Sequence, residues 1–109
     1  MIDWSRVIQL RDEVGEDDFD EVFDLFLEEV GEVIARLRVN PDHDALECDL
    51  HFLKGSALSL GFSTFSTLCQ NGEREAANGN ADTVDIGEII ANFEKSRIAF
   101  QAEAKAHLV

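Results

Sequence analysis

The sequence has no tyrosine, a single proline, one tryptophan and only two cysteines among its 109 residues. Two cysteines are too few for a disulfide framework, so we expect Cys48 and Cys69 to be reduced and to serve as small packing residues. No stretch approaches the roughly 18 consecutive apolar residues of a membrane-spanning helix, and the charged N-terminus lacks the apolar stretch of a signal peptide. These absences make a cytoplasmic protein the default expectation.

Basic residues are also scarce. Nine lysines and arginines stand against 23 aspartates and glutamates, which gives a formal net charge of -14. A surface of this sign repels phosphate backbones and anionic lipids, so a nucleic-acid or membrane partner is excluded.

The chain lacks repeats, low-complexity tracts and Gly/Ser linkers, which predicts one domain over residues 1–109. Apolar residues recur at three- and four-residue steps, whereas no segment alternates with period two for long enough to form a strand. The sequence therefore predicts an all-α fold, an antiparallel up-down-up-down four-helix bundle with a short N-terminal capping helix. The predicted helices cover approximately Asp3 to Val14, Asp18 to Val39 with Asp17 or Asp18 as its cap, Asp42 to Leu60, Phe62 to the turn at 78–82, and Thr83 to His107.

The helix that ends near Leu60 has an apolar seam and an outward histidine. At 100° per residue, His51 lies about 130° from the centre of this seam and therefore faces water. Neighbours at three- and four-residue spacing place four residues on the same outward surface: Glu47, Lys54, Gly55 and Leu58. The seam consists of Leu46, Leu50, Leu53, Ala57 and Leu60.

Gly55 follows His51 by one turn, although a glycine inside a helix costs about 1 kcal/mol relative to alanine. Side chains in a helix lean over the preceding turn, so a larger residue at this position would crowd the imidazole. A neutral imidazole nitrogen is a good nucleophile near neutral pH, and the nearby Lys54 can stabilise anionic oxygens. The pattern indicates a histidine that another molecule approaches closely.

The segment "HFLKGSALSLGF", residues 51–62, resembles the signature of the histidine-containing phosphotransfer (HPt) family. The resemblance implies that His51 accepts a phosphoryl group from a receiver-domain aspartyl phosphate and passes it to another receiver. It implies that Lys54 stabilises the phosphoryl group, that Gly55 gives the receiver access and that Gly61 ends the helix. The chain would be a phosphocarrier without kinase activity.

The same resemblance implies the partners, which would be receiver domains of response regulators and of hybrid sensor histidine kinases. The receiver would bring Mg²⁺, while this chain would bind no cofactor or metal and would act as a monomer. Leu58 and Phe52 would flank His51 as an apolar docking patch, with Glu47 on the same outward surface. Several family members carry a glutamine on the next helix that hydrogen-bonds toward the histidine. An ungapped count puts Glu73 in that position, with Gln70 one turn earlier, and leaves open whether Glu73 orients the imidazole or is a solvated surface residue.

Three alternatives compete with phosphotransfer. His43, Glu47 and His51 stand at four-residue steps and could line one helix face as a metal site, although one helix rarely completes a tetrahedral ligand set. The chain could also be an adaptor bundle that binds a receiver or kinase partner without chemistry, but the cost of Gly55 would then have no reason. In the third alternative, the chain is the phosphate-accepting domain of a chemotaxis-type kinase. The methionine start and the complete set of predicted helices favour a self-contained chain instead.

Overall fold

Residues 1–108, which the computed structural model describes, contain five α-helices, a short 3-10 turn and no strand. An isolated pairing of Ile2 with Phe62 is the only β-type contact within them. The all-α prediction is confirmed, while the up-down order of the helices and the capping role of the first one stay predictions. The elements are α1 (Trp4–Val14), α2 (Phe19–Val39), α3 (Leu46–Leu60), α4 (Ser63–Ala77), the 3-10 turn Ala81–Thr83 and α5 (Ile86–His107).

Two helices begin later than the apolar pattern predicts, because local hydrogen bonds form turns ahead of them. The carboxylate of Asp42 accepts from the backbone N–H of Asp44 at 3.0 Å, a turn typical of aspartate that delays the start of α3. Before α5, the side chain of Asp85 accepts from the N–H of Glu88 at 2.9 Å and caps the helix. Asp18 is at the N-cap position of α2, as predicted, but its side chain makes no capping hydrogen bond, so that part of the prediction is wrong.

The core lies between α3 and the helices around it. The whole predicted seam of α3 is buried, as are aromatic rings from α2, the α3–α4 junction, α4 and α5. Phe23 and Phe100 stack at 4.1 Å between ring centroids, and Phe65 meets Phe93 at 5.4 Å. Ring pairs at these distances add to the burial of apolar area and tie α2 and α4 to α5.

The N-terminal segment and α1 are attached to the end of α3. The N–H of Asp3 donates to the carbonyl of Gly61 at 2.7 Å, and the N–H of Ser63 donates to the carbonyl of Met1 at 3.0 Å. Gly61 has φ 78°, the left-handed conformation that the sequence predicts for a residue just past a helix. Val7 of α1 is fully buried, so α1 contributes to the core. Among residues 1–108, no helix combines the length and the apolar character needed to cross a membrane.

Candidate functional site

His51 projects from the face of α3 opposite the buried seam. Its side chain is 71% exposed, whereas Leu50 and Leu53 on either side are fully buried. The helical repeat produces this contrast, because a residue between two seam positions points away from the core. The exposure agrees with the outward direction that the sequence predicts.

Helix α4 approaches α3 beside this histidine, at a point where α4 has a glycine. A Cβ built on Gly72 would lie 2.9 Å from Leu50 Cδ1, so a residue with a side chain would require Leu50 or the helix spacing to shift. The next residue, Glu73, reaches the imidazole, and its Oε1 lies 2.9 Å from His51 Nδ1. The close helix contact therefore places a carboxylate on one nitrogen of the ring.

Lys54 completes a three-residue cluster with His51 and Glu73. Its ammonium nitrogen donates to Glu73 Oε1 at 3.3 Å and lies 2.9 Å from Oε2, a charge contact without hydrogen-bond geometry. Lys54 and Glu73 are mostly covered, with side chains 24% and 19% exposed. The hydrogen bond from Lys54, followed by that from His51, lowers the pKa of Glu73 from its ordinary value, although partial burial opposes this. The carboxylate is therefore ionised at neutral pH.

An ionised carboxylate can only accept hydrogen bonds, and this sets the tautomer of the neutral ring. Nδ1, which faces Glu73, must carry the proton of that hydrogen bond. Nε2 is then left with its lone pair on the exposed side of the ring. The arrangement can present an unprotonated nitrogen to an electrophile that arrives from solvent.

The surface around His51 is open and partly apolar. A Cβ built on Gly55 would meet no atom within 4 Å outside its own helix, so nothing in the fold requires a glycine there. Leu58 and Phe52 are exposed by 57% and 38%, and Glu47 is exposed as well. All four positions are exposed, as expected for the outward surface that the sequence predicts, whereas their roles stay predictions.

Glu73, which the ungapped count places opposite His51, and Gln70, one turn earlier, differ in position. Gln70 is exposed and makes no hydrogen bond to the His51 ring within residues 1–108, whereas Glu73 does. Gln70 instead lines a shallow groove with Glu47, Lys54, Glu73 and Arg74. Arg74 and Ala77 line the same groove and were not singled out from the sequence. The position of Arg74 directly after Glu73 is the signal that could have found it.

The run His43, Glu47 and His51 does not lie along one helix, because His43 precedes the start of α3 by three residues. Within residues 1–108, no three His, Cys, Asp or Glu side chains are grouped as metal ligands are. The geometry on which that alternative depended is therefore missing.

The two cysteines have different environments. Cys69 is fully buried on α4, as expected for a packing residue, and burial raises its pKa to about 12, with a smaller contribution from the charge of Glu73. Cys48 is exposed on α3, so the prediction that it packs in the interior is wrong. Its position between Glu47 and Asp49, outside the seam, explains the exposure. Neither sulfur takes part in the cluster around His51.

The site is an exposed histidine on an all-helical domain, hydrogen-bonded to a carboxylate from the neighbouring helix. The family model described as the Hpt domain matches residues 9–105, and the chain belongs to this family. Comparison with curated proteins and comparison with solved structures gave no match. Hpt domains carry phosphoryl groups on histidine in phosphorelays, interact with receiver domains and act as carriers rather than as catalysts.

Proposed function

We propose that His51 is the phosphorylated residue and that this chain relays phosphoryl groups between receiver-domain aspartates in a multistep phosphorelay. The observation that carries the proposal is the hydrogen bond between His51 Nδ1 and the ionised Glu73, which leaves Nε2 unprotonated and exposed. The ring is thereby oriented before any partner arrives, so less ordering is required at the moment of transfer.

The transfer step needs little chemistry from this chain. The Nε2 lone pair of His51 attacks the phosphorus of an aspartyl phosphate, the P–O bond to the receiver's aspartate breaks, and the carboxylate leaves with the electron pair. Nδ1 keeps its proton, which stays hydrogen-bonded to Glu73. The negative charge of Glu73 balances the positive charge that develops on the ring. Lys54 stabilises the oxygens of the phosphoryl group, and the receiver brings the Mg²⁺.

Docking of the receiver is assigned to the surface around His51. Phe52 and Leu58 are exposed apolar side chains beside the histidine, and contacts of this kind gain free energy when they are covered. The open space at Gly55 allows the receiver to approach the ring. The proposed partners are receiver domains of response regulators and of hybrid sensor kinases. We propose that the chain binds them as a monomer in the cytoplasm, and that it is an up-down bundle with α1 as its cap.

The proposal is tested with receiver domains loaded with ³²P from radiolabelled acetyl phosphate. The wild-type chain and a His43→Gln variant should both take the label, because His43 lies in the turn before α3 and outside the site. A His51→Gln variant should take none, and the label should be acid-labile and alkali-stable, as a phosphorus–nitrogen bond requires. Label on His51→Gln would refute the assignment of His51. Binding of receivers without any transfer would favour the adaptor alternative.

A further inference from the structure

Lys54 has two possible partners, the carboxylate of Glu73 and the phosphoryl group that the proposed function puts on Nε2. In the structure it is bound to the first, with its nitrogen 3.3 Å and 2.9 Å from the two carboxylate oxygens. Lys54 is therefore already paired with a carboxylate. It is not a free cation at the exposed edge of the ring.

The two partners lie on opposite sides of the imidazole. Glu73 Oε1 contacts Nδ1, and the phosphoryl group would extend from Nε2, so the whole ring separates that oxygen from the phosphoryl oxygens. An ammonium group that touches two oxygens in line spans about 5.6 Å, twice the length of a charge-assisted hydrogen bond. The 2.9 Å hydrogen bond to Nδ1, the width of the ring and the phosphorus–nitrogen bond together exceed this span, so Lys54 must give up Oε1 to reach the phosphoryl group.

We propose that Glu73 and the phosphoryl group compete for Lys54. Lys54 binds Glu73 while His51 is free and moves to the phosphoryl oxygens once Nε2 carries them, while Glu73 remains hydrogen-bonded to Nδ1. Glu73 thus acts as a positioning residue with a second effect, because its contact with Lys54 reduces what the lysine adds to the phosphorylated state. The inference rests on the proposed role of His51.

The test is a double-mutant cycle read by the equilibrium of phosphorylation. Phosphoramidate is the donor, because it requires no knowledge of the natural receiver: Nε2 attacks phosphorus, the phosphorus–nitrogen bond breaks, and the amine leaves as ammonia with the protons it already carries. The equilibrium constant is the ratio of the rate constant for phosphorylation by phosphoramidate to the rate constant for the reverse reaction with ammonia, both followed by ³¹P NMR. Wild type, Lys54→Met, Glu73→Gln and the double variant are compared.

Glu73→Gln is the informative change, because the amide oxygen can still accept the hydrogen bond from Nδ1 while the charge that holds Lys54 is gone. Under competition, Lys54→Met lowers the equilibrium constant by a larger factor in the Glu73→Gln background than in the wild type. The two factors should differ by about two- to fivefold, the range that a partly exposed ion pair provides. In a Glu29→Gln background, which removes the same charge from the exposed face of α2, the factor should equal that of the wild type.

If Lys54→Met lowers the equilibrium constant by the same factor in the wild-type and Glu73→Gln backgrounds, the inference is overturned. Lys54 would then bind Glu73 and the phosphoryl group at the same time, or stabilise neither. A smaller factor in the Glu73→Gln background overturns it as well. These outcomes leave the proposed function intact, since they require that His51 be phosphorylated. Absence of phosphoryl transfer to His51 in the wild type, from phosphoramidate and from receivers alike, would instead refute the proposed function and the inference with it.

Discussion

Gly55 is the residue at which helix stability and access to His51 oppose each other. The space beside it is open, so an alanine fits and removes the conformational cost of glycine inside α3. Gly55→Ala is therefore expected to stabilise the fold by a few tenths to about 1 kcal/mol. Transfer to His51 should stay the same or fall slightly. Thermal unfolding and the transfer rate, measured on the same protein, check both parts.

A longer side chain at the same position separates access from folding. Gly55→Gln should fold and transfer slowly, whereas Gly31→Gln on α2, where an added Cβ also meets nothing within 4 Å, should fold and transfer normally. If Gly55→Gln transfers at the wild-type rate, the glycine has no role in access.

The carboxylate of Glu73 predicts a pH-dependent contribution to stability. Its pKa is lower in the folded protein than in the unfolded chain, so the folded state is favoured at neutral pH, and this contribution is lost as the pH falls through and below the ordinary glutamate range. Glu73→Gln should therefore be less stable than wild type at pH near 7, and the difference should shrink toward pH near 3. Urea unfolding at several pH values measures this.

Glu29→Gln is the control for that series, because Glu29 is exposed on α2. Its stability relative to wild type should change little with pH. A constant difference between wild type and Glu73→Gln across the same pH range would show that the carboxylate is not stabilised by its ion pairs.

Among the contacts between helices, the site depends on the packing of α3 against α4. Gly72 permits the close contact, because an added Cβ would lie 2.9 Å from Leu50 Cδ1, 3.2 Å from Val84 Cγ1 and 3.4 Å from Ile89 Cδ1. Leu50 is fully buried and has little room to move. Overpacking of this kind costs about 1 to 3 kcal/mol, which exceeds the gain of about 1 kcal/mol in helix propensity.

Gly72→Ala is accordingly expected to lower stability by about 1 kcal/mol, the opposite sign to Gly55→Ala. Because the wider spacing moves Glu73 away from the ring, transfer to His51 should slow at the same time. Unfolding of the two alanine variants side by side gives the comparison. A stabilised Gly72→Ala would mean that α4 can shift without cost, and the close contact would then not be what positions Glu73.

The molecule as a whole carries a net charge of -14 in a body of 44 × 21 × 20 Å. Repulsion among these charges opposes the compact state, and the attractive pairs are few, such as Arg36 with both oxygens of Asp49 at 2.9 and 2.7 Å. Raising the ionic strength from about 10 mM to about 150 mM shortens the screening length from about 30 Å to about 8 Å.

Added salt should therefore raise the midpoint of thermal unfolding, by about 2 to 5 °C, because it screens more repulsion than attraction. Differential scanning calorimetry in sodium chloride, with potassium fluoride as a second salt, tests whether screening is responsible. A fall in the midpoint would indicate that ion pairs such as Arg36–Asp49 outweigh the net repulsion.

By itself the sequence determined the all-helical class, the buried seam of α3, the outward direction of His51 and the left-handed residue at Gly61. These properties follow from the 3.6-residue repeat and from the conformational freedom of glycine, both of which act within a few residues along the chain. The starts of α3 and α5 were less certain, because a turn closed by the side chain of Asp42 delays the first and the capping bond of Asp85 sets the second.

Only the tertiary structure showed that Glu73 contacts the His51 ring instead of being a solvated surface residue, and only it showed that Lys54 is already paired. Glu73 is 22 positions from His51, so their contact depends on how α4 is rotated and how closely it approaches α3. That approach is set by Gly72 against Leu50, a contact between two helices that no spacing along one helix reveals. The lowered pKa of Glu73 has the same origin, because both of its cationic or hydrogen-bonding partners lie on the other helix.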